Sequence, residues 1–188
     1  MENGEDGLKE LISDYRRESR SLPIRWWIVT AIEIMIYIFT GMFQKEDFRR
    51  VIAIAFTAGF VGMSAYTTIY VMAVMPQIIK KRLNALTDGE AVLEQYAKAP
   101  RFGKRRFLEE YLIYFYSMDM ILVRYLEIRS AELKGYKLLL DTGGKKPLKM
   151  PFDVDENPAI LVAALRSRNS KISVIRGGKV VEKMENNK

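Results

Sequence analysis

Apolar positions crowd into the first half of the chain and mix with charge in the second. Trp26 to Phe43 and Val51 to Met75 are two long apolar runs. The second, VIAIAFTAGFVGMSAYTTIYVMAVM, carries no charge and is long enough to cross a bilayer of about 30 Å. The first carries one carboxylate, Glu33, and is flanked by Arg25, Trp26 and Trp27 on one side and Phe43 and Lys45 on the other, an interfacial belt. Only QKEDFRR separates the runs. So short a link forces neighbouring antiparallel spans, a helical hairpin over residues 24–86.

Ahead of it, Leu8, Leu11, Ile12 and Tyr15 repeat with helical spacing, and Arg16, Arg17 and Arg20 cluster near the end. Residues 1–23 are therefore an amphipathic helix ended by Pro23. Two uses fit it: lying on anionic headgroups, or packing on the soluble part.

After Met75 the helix is expected to run past Pro76 to TDGE. AVLEQYAKAP then suits a strand. FLEEYLIYFYS and MDMILVRYLEIRS fit either period, and their Tyr, Ile and Phe content favours strands. YKLLLDTGGKKPLKMPF reads as a hairpin over DTGG. DENPAILVAALRSRN reads as a helix with Pro158 in its first turn, Ile160, Leu161, Ala164 and Leu165 on one face, and Arg166 and Arg168 at its end. Residues 171–188 form a tail with a hairpin around Gly177 and Gly178.

Composition narrows the chemistry. The 188 residues hold no Cys and no His. Thiolate sites, disulfides and imidazole relays are excluded. No phosphate loop or nucleophile set is present, and DVDEN lacks the spacing and glycine of a calcium loop. The expectation is a non-enzyme with no cofactor and no metal. The net charge of +7 calls for an anionic partner. Its spread along the chain fits anionic membrane headgroups, not nucleic acid. The acidic start MENGEDG does not suit a cleavable signal.

Lysine and arginine also set orientation. Lys9, Arg16, Arg17, Arg20, Arg25, Lys80, Lys81 and Arg82 lie outside the hairpin loop, against Lys45, Arg49 and Arg50 within it. That bias places both termini in the cytoplasm of a protein crossing the plasma membrane twice.

Three groups of residues are candidates for function. Glu33, with Thr57 and Ser64 near its depth, forms an intramembrane polar set: hydrogen-bonding glue within the hairpin or to another copy, or the lining of a small oligomeric pore or transporter. Ala55, Ala58, Gly59 and Gly62 form a small-residue helix-packing face. Lys98, Arg101, Lys104, Arg105 and Arg106, with Lys145, Lys146 and Lys149, are basic contacts for anionic lipid or a partner.

The order of a GE opening, an aromatic hairpin, RYLEI, a hairpin over DTGG ending in LKMPF and one last helix resembles the bacterial and archaeal pleckstrin-homology-like domains. The likeness covers roughly residues 87–170. It implies a fold of seven strands in two orthogonal sheets capped by a C-terminal helix, more strands than are legible here. It also implies a binding module. The class expected is thus an α+β membrane protein, a transmembrane hairpin carrying a small sheet domain. Its function would be non-catalytic scaffolding through a partner protein, a homo-oligomer or anionic lipid; the alternative is an accessory subunit of a larger membrane complex.

Overall fold

The computed structural model describes residues 2–44, 48–152, 156–176 and 179–182. The chain divides into two compact units: residues 1–93 with the turn at 117–119, and residues 94–116 with 120–188.

The first unit is helical. α1 spans Glu2–Ser19, α2 Ser21–Phe39 and α3 Phe48–Ile69. A π-helical turn, Tyr70–Val74, leads into α4, Met75–Asn84. α1 and α2 are nearly continuous, with Arg20 N–H still reaching Arg16 O at 2.9 Å. The helix therefore does not end at Pro23. Pro23 sits in the first turn of α2, where no N–H has to be donated.

The two long helices, Gly4–Phe39 and Phe48–Asn84, are long and apolar enough to cross a membrane. Burial reverses along them. From Ile24 to Phe39 and from Phe48 to Val74 large apolar side chains point outward, with Ile38, Phe39, Phe48 and Val51 all more than 60 % exposed. At the end of that zone Val71, and below it Leu11, Tyr15, Met75 and Ile79, are fully buried. There α1 lays its apolar face on α4 and the π turn, so Leu11 and Tyr15 serve packing between helices of this unit. Gly7 is required where α1 passes Leu93, because a Cβ on it would meet Leu93 O at 2.3 Å.

The π turn has a local cause. Pro76 has no N–H, so the carbonyl four residues back, Met72 O, loses its helical donor. Met75 N–H reaches back to Tyr70 O instead. The freed Met72 carbonyl accepts from Arg16 of α1 at 2.8 Å.

The second unit carries the strands. At its start, AVLEQYAKAP is not a strand but most of α5, Gly89–Lys98. Val92, Leu93 and Tyr96 repeat at helical spacing and are buried, while Glu90, Glu94 and Lys98 are exposed. β1 (Arg101–Phe102), β2 (Arg105–Phe107), β3 (Tyr111–Tyr116) and β4 (Asp119–Arg124) form one sheet in chain order. The aromatic stretch is thus strand, as its composition suggested.

β5 (Ser130–Lys134), β6 (Lys137–Asp141) and β7 (Leu148–Pro151) form an antiparallel meander. α6 follows at Pro158–Arg168, and the side chain of its cap residue Asn157 accepts from Ala159 N–H. Two strands flank residues 177–178, as the expected tail hairpin requires. β8 (Ser173–Arg176) pairs parallel to β5, and β9 (Lys179–Glu182) pairs with β8, so the sheet runs β7-β6-β5-β8-β9. Gly177 and Gly178, Lys45, and residues 153–155 of DVDEN lie outside the described residues.

The core of this unit joins both sheets to α6 through Leu112, Tyr114, Val123, Leu138, Leu140, Met150 and Leu165. On α6, Leu161 and Leu165 face inward, whereas Ile160, placed on the same face by its spacing, is exposed.

Candidate functional site

The helical hairpin holds a ladder of polar side chains between α2 and α3. Trp27 Nε1 donates to Thr68 Oγ1 at 3.1 Å. Thr30 Oγ1 and Ser64 Oγ share a hydrogen bond of 2.9 Å, and both residues are buried. Thr57 Oγ1 donates to Glu33 Oε1 at 3.4 Å, a long contact. Glu33 Oε2 is buried without a partner among the described residues. The polar set expected around Glu33 is therefore only partly assembled. Thr57 reaches it, and the Ser64 hydroxyl is engaged by Thr30.

Spacing explains the difference. The Trp27–Thr68 and Thr30–Ser64 rungs place Glu33 nearer Val61 in depth, about one helical turn from Thr57. The Glu33 carboxylate therefore meets Thr57 one turn along α3, at the longest distance of the three contacts. Glu33→Leu is expected to leave hairpin stability unchanged or raised by up to about 1 kcal/mol, because it removes a half-satisfied carboxyl. Ser64→Ala is expected to lower it by about 0.6–1.7 kcal/mol. Denaturant titration of the chain in mild detergent checks both; a large loss in Glu33→Leu would contradict the assignment.

The small-residue face does not join the two spans. Ala55, Ala58, Gly59 and Gly62 are exposed, and a Cβ on either glycine would meet nothing within 4 Å. The side of α3 that meets α2 carries Ala53, Thr57, Ser64 and Thr67 instead. Hydroxyl-bearing residues, not the glycines, lie on the side of α3 that turns inward. The outward face forms one wall of an apolar groove of about 410 Å³ that includes Trp26, Ala55, Gly59 and Phe60.

The basic residues of the second unit separate into two kinds. Lys98, Arg101 and Lys104 are exposed, as are Lys145, Lys146 and Lys149. Arg105 and Arg106 are buried, 3 % and 8 % exposed, so they are not part of an exposed basic surface. Adjacent residues of a strand point to opposite faces, and each of these arginines meets a dedicated set of acceptors. Arg105 Nη1 donates to both carboxylate oxygens of Glu156 at 2.8 and 2.9 Å, and Nη2 donates to Pro151 O. The turn beside it needs glycine: Gly103 has φ +57°, and a Cβ there would lie 2.4 Å from Glu156 Oε1.

Arg106 closes the end of α5. Its Nη1 donates to Tyr96 O at 2.8 Å and Ala99 O at 2.9 Å, and its guanidinium lies 4.3 Å from the Tyr96 ring centre. A cation on the last carbonyls of a helix complements the dipole, and the ring adds a cation–π contact. The sequence did hold a signal for this. Reading α5 as a helix places its carbonyl end just ahead of a short strand that opens on two arginines.

Among the described residues, no three acidic side chains come together as a metal-binding group. Comparison of the chain with protein-family models, with curated proteins and with solved structures gives no match.

Proposed function

We propose that the chain is a membrane-anchored, non-catalytic interaction protein. Its helical hairpin sits in the plasma membrane with both termini in the cytoplasm, and its sheet-bearing unit is a docking module for a partner protein or for anionic lipid. One observation carries the reading. The apolar side chains of both long helices face outward over Ile24–Phe39 and Phe48–Val74, with only 11 % and 17 % of the two span windows buried. A soluble helix buries such a face, and apolar exposure on this scale marks a surface that is covered. The excess of lysine and arginine on the terminal side of the hairpin supports the orientation.

The likeness to pleckstrin-homology-like modules is supported by element order. A sheet of four antiparallel strands, β1–β4, precedes an antiparallel set of three, β5–β7, and one helix, α6. β8 and β9 lie beyond that plan.

Fractionation tests the anchor: the chain should stay in the pellet of alkali-washed membranes and enter solution only with detergent. Recovery in the wash would end the reading.

A second reading, a hairpin that associates laterally as an accessory subunit or with its own copies, is favoured by the outward Ala55, Gly59 and Gly62 face and by the free Glu33 oxygen. A Cβ added at Gly59 or Gly62 meets no atom within 4 Å, so the outward face has room for a larger side chain. The double variant is expected to fold normally and to shift detergent-solubilised particles to lower mass by light scattering. An unchanged mass would dispose of this interface.

A further inference from the structure

We propose that the outer face of the β5–β6–β7 meander is a docking surface for an anionic bilayer, an inference that rests on the membrane-anchor reading and assigns its lipid-binding face. Register defines the face. Ala131↔Leu140 and Leu133↔Leu138 pair on the core side. The alternate pairs, Glu132↔Leu139 and Lys134↔Lys137, therefore lie outside, and Leu139↔Lys149 and Lys137↔Pro151 extend the same face onto β7. Lys134, Lys137 and Lys149 are all exposed.

Two features of this face call for an anion. Lys134 and Lys137 stand directly opposite each other, and like charges in that position repel. No ion pair joins either of them, or Lys149, to a carboxylate among the described residues. Of the two acids on the face, Asp141 is turned into its own loop, where Oδ1 accepts from Gly143 N–H at 2.9 Å, and half-buried Glu132 is the other. Lys145 and Lys146, exposed in the β6–β7 loop, extend the charge at the far end.

An aromatic pair sits beside the lysine pair. Tyr136, 64 % exposed, stands at the β5–β6 turn, edge-on to Phe152 at 6.4 Å between ring centres. Exposed tyrosine beside lysine suits the headgroup layer, where the ring meets acyl carbon and the ammonium meets phosphate. The β1–β2 rim offers less, because Arg105 and Arg106 are spent internally and Arg101 Nε is bonded to Gly103 O.

The full chain in phosphatidylcholine nanodiscs, mixed with vesicles, tests the face. The discs should co-float with vesicles containing phosphatidylglycerol and not with pure phosphatidylcholine vesicles. Each of Lys134→Ala, Lys137→Ala and Lys149→Ala should weaken co-flotation about five-fold. Lys98→Ala/Arg101→Ala/Lys104→Ala should change it little. Equal binding to both vesicle types, unchanged binding in all three lysine variants, or loss of binding in the rim variant instead would overturn the assignment. So would displacement of the vesicles by a single-stranded oligonucleotide at equal phosphate. Failure of the anchor reading shows separately, as a chain that elutes free of lipid before vesicles are added. The vesicle comparison then runs on that free chain, so the two failures are distinct.

Discussion

Glu156→Ala is expected to destabilise the sheet-bearing unit by about 3–5 kcal/mol. The reason is the partner left behind. Arg105 is 3 % exposed, and both of its carboxylate hydrogen bonds end on Glu156. Deleting the acid leaves a guanidinium in a site that water scarcely reaches, with Pro151 O as its remaining acceptor. An uncompensated buried charge is among the few causes of so large a loss. Replacing both partners, Arg105→Met with Glu156→Leu, should restore most of the stability, because the desolvated charge then goes as well. Hydrogen exchange of the β2 and β3 amides in the detergent-solubilised chain reads the effect in this unit alone. A single variant that exchanges like wild type would show that the pair contributes little.

Alkaline pH should destabilise the helical unit between pH 10 and 12. Burial raises the Tyr15 phenol from 10.0 to about 12. The residue is fully buried, and its hydroxyl donates to Met118 O at 2.8 Å. Below pH 10 the phenol is protonated in folded and unfolded chains alike, and the stabilisation is fully present. Above pH 10 the unfolded chain releases the proton first. The folded state then loses up to about 2.7 kcal/mol as the pH climbs through the folded value. Burial also raises the Tyr125 phenol, in the other unit. Tyr15→Phe removes the titrating group at the cost of one hydrogen bond, about 1 kcal/mol. Its denaturation midpoint should fall less steeply than wild type from pH 10 to 12. Parallel curves for the two proteins would refute the assignment.

Much of the architecture was legible because its signals are local. The uncharged run from Val51 to Met75, Pro158 ahead of α6, and DTGG between two apolar runs each act within a few residues. The aromatic stretch at 111–116 was legible by composition and not by period, because both faces of β3 are buried and neither alternates. AVLEQYAKAP is ambiguous because it is short and only Val92, Leu93 and Tyr96 mark its buried side, too few to separate a helical period from an alternating one. The pairing of β8 with β5 joins residues some forty positions apart, and no local pattern announces it.

The site was legible in kind more than in detail. Glu33 and Thr57 come together, whereas Ser64 prefers a residue of its own length. The small residues of α3 signal a helix-packing face, but not which helix they meet; the hydroxyl rungs turn them away from α2. From sequence Arg105 and Arg106 read as surface charge, because charge predicts exposure. Their burial depends on Glu156 and on the carbonyls of Tyr96 and Ala99, partners that only the fold supplies.

Arg16 gives the long helices a mechanical property. A proline within a helix ordinarily creates a compliant point, because one carbonyl is left to swing freely. In this chain that carbonyl is gripped by a guanidinium from the neighbouring rod, so flexing at Pro76 means first letting go of Arg16. The same bond ties α1 to the start of the proline turn, so the two rods meet at that height.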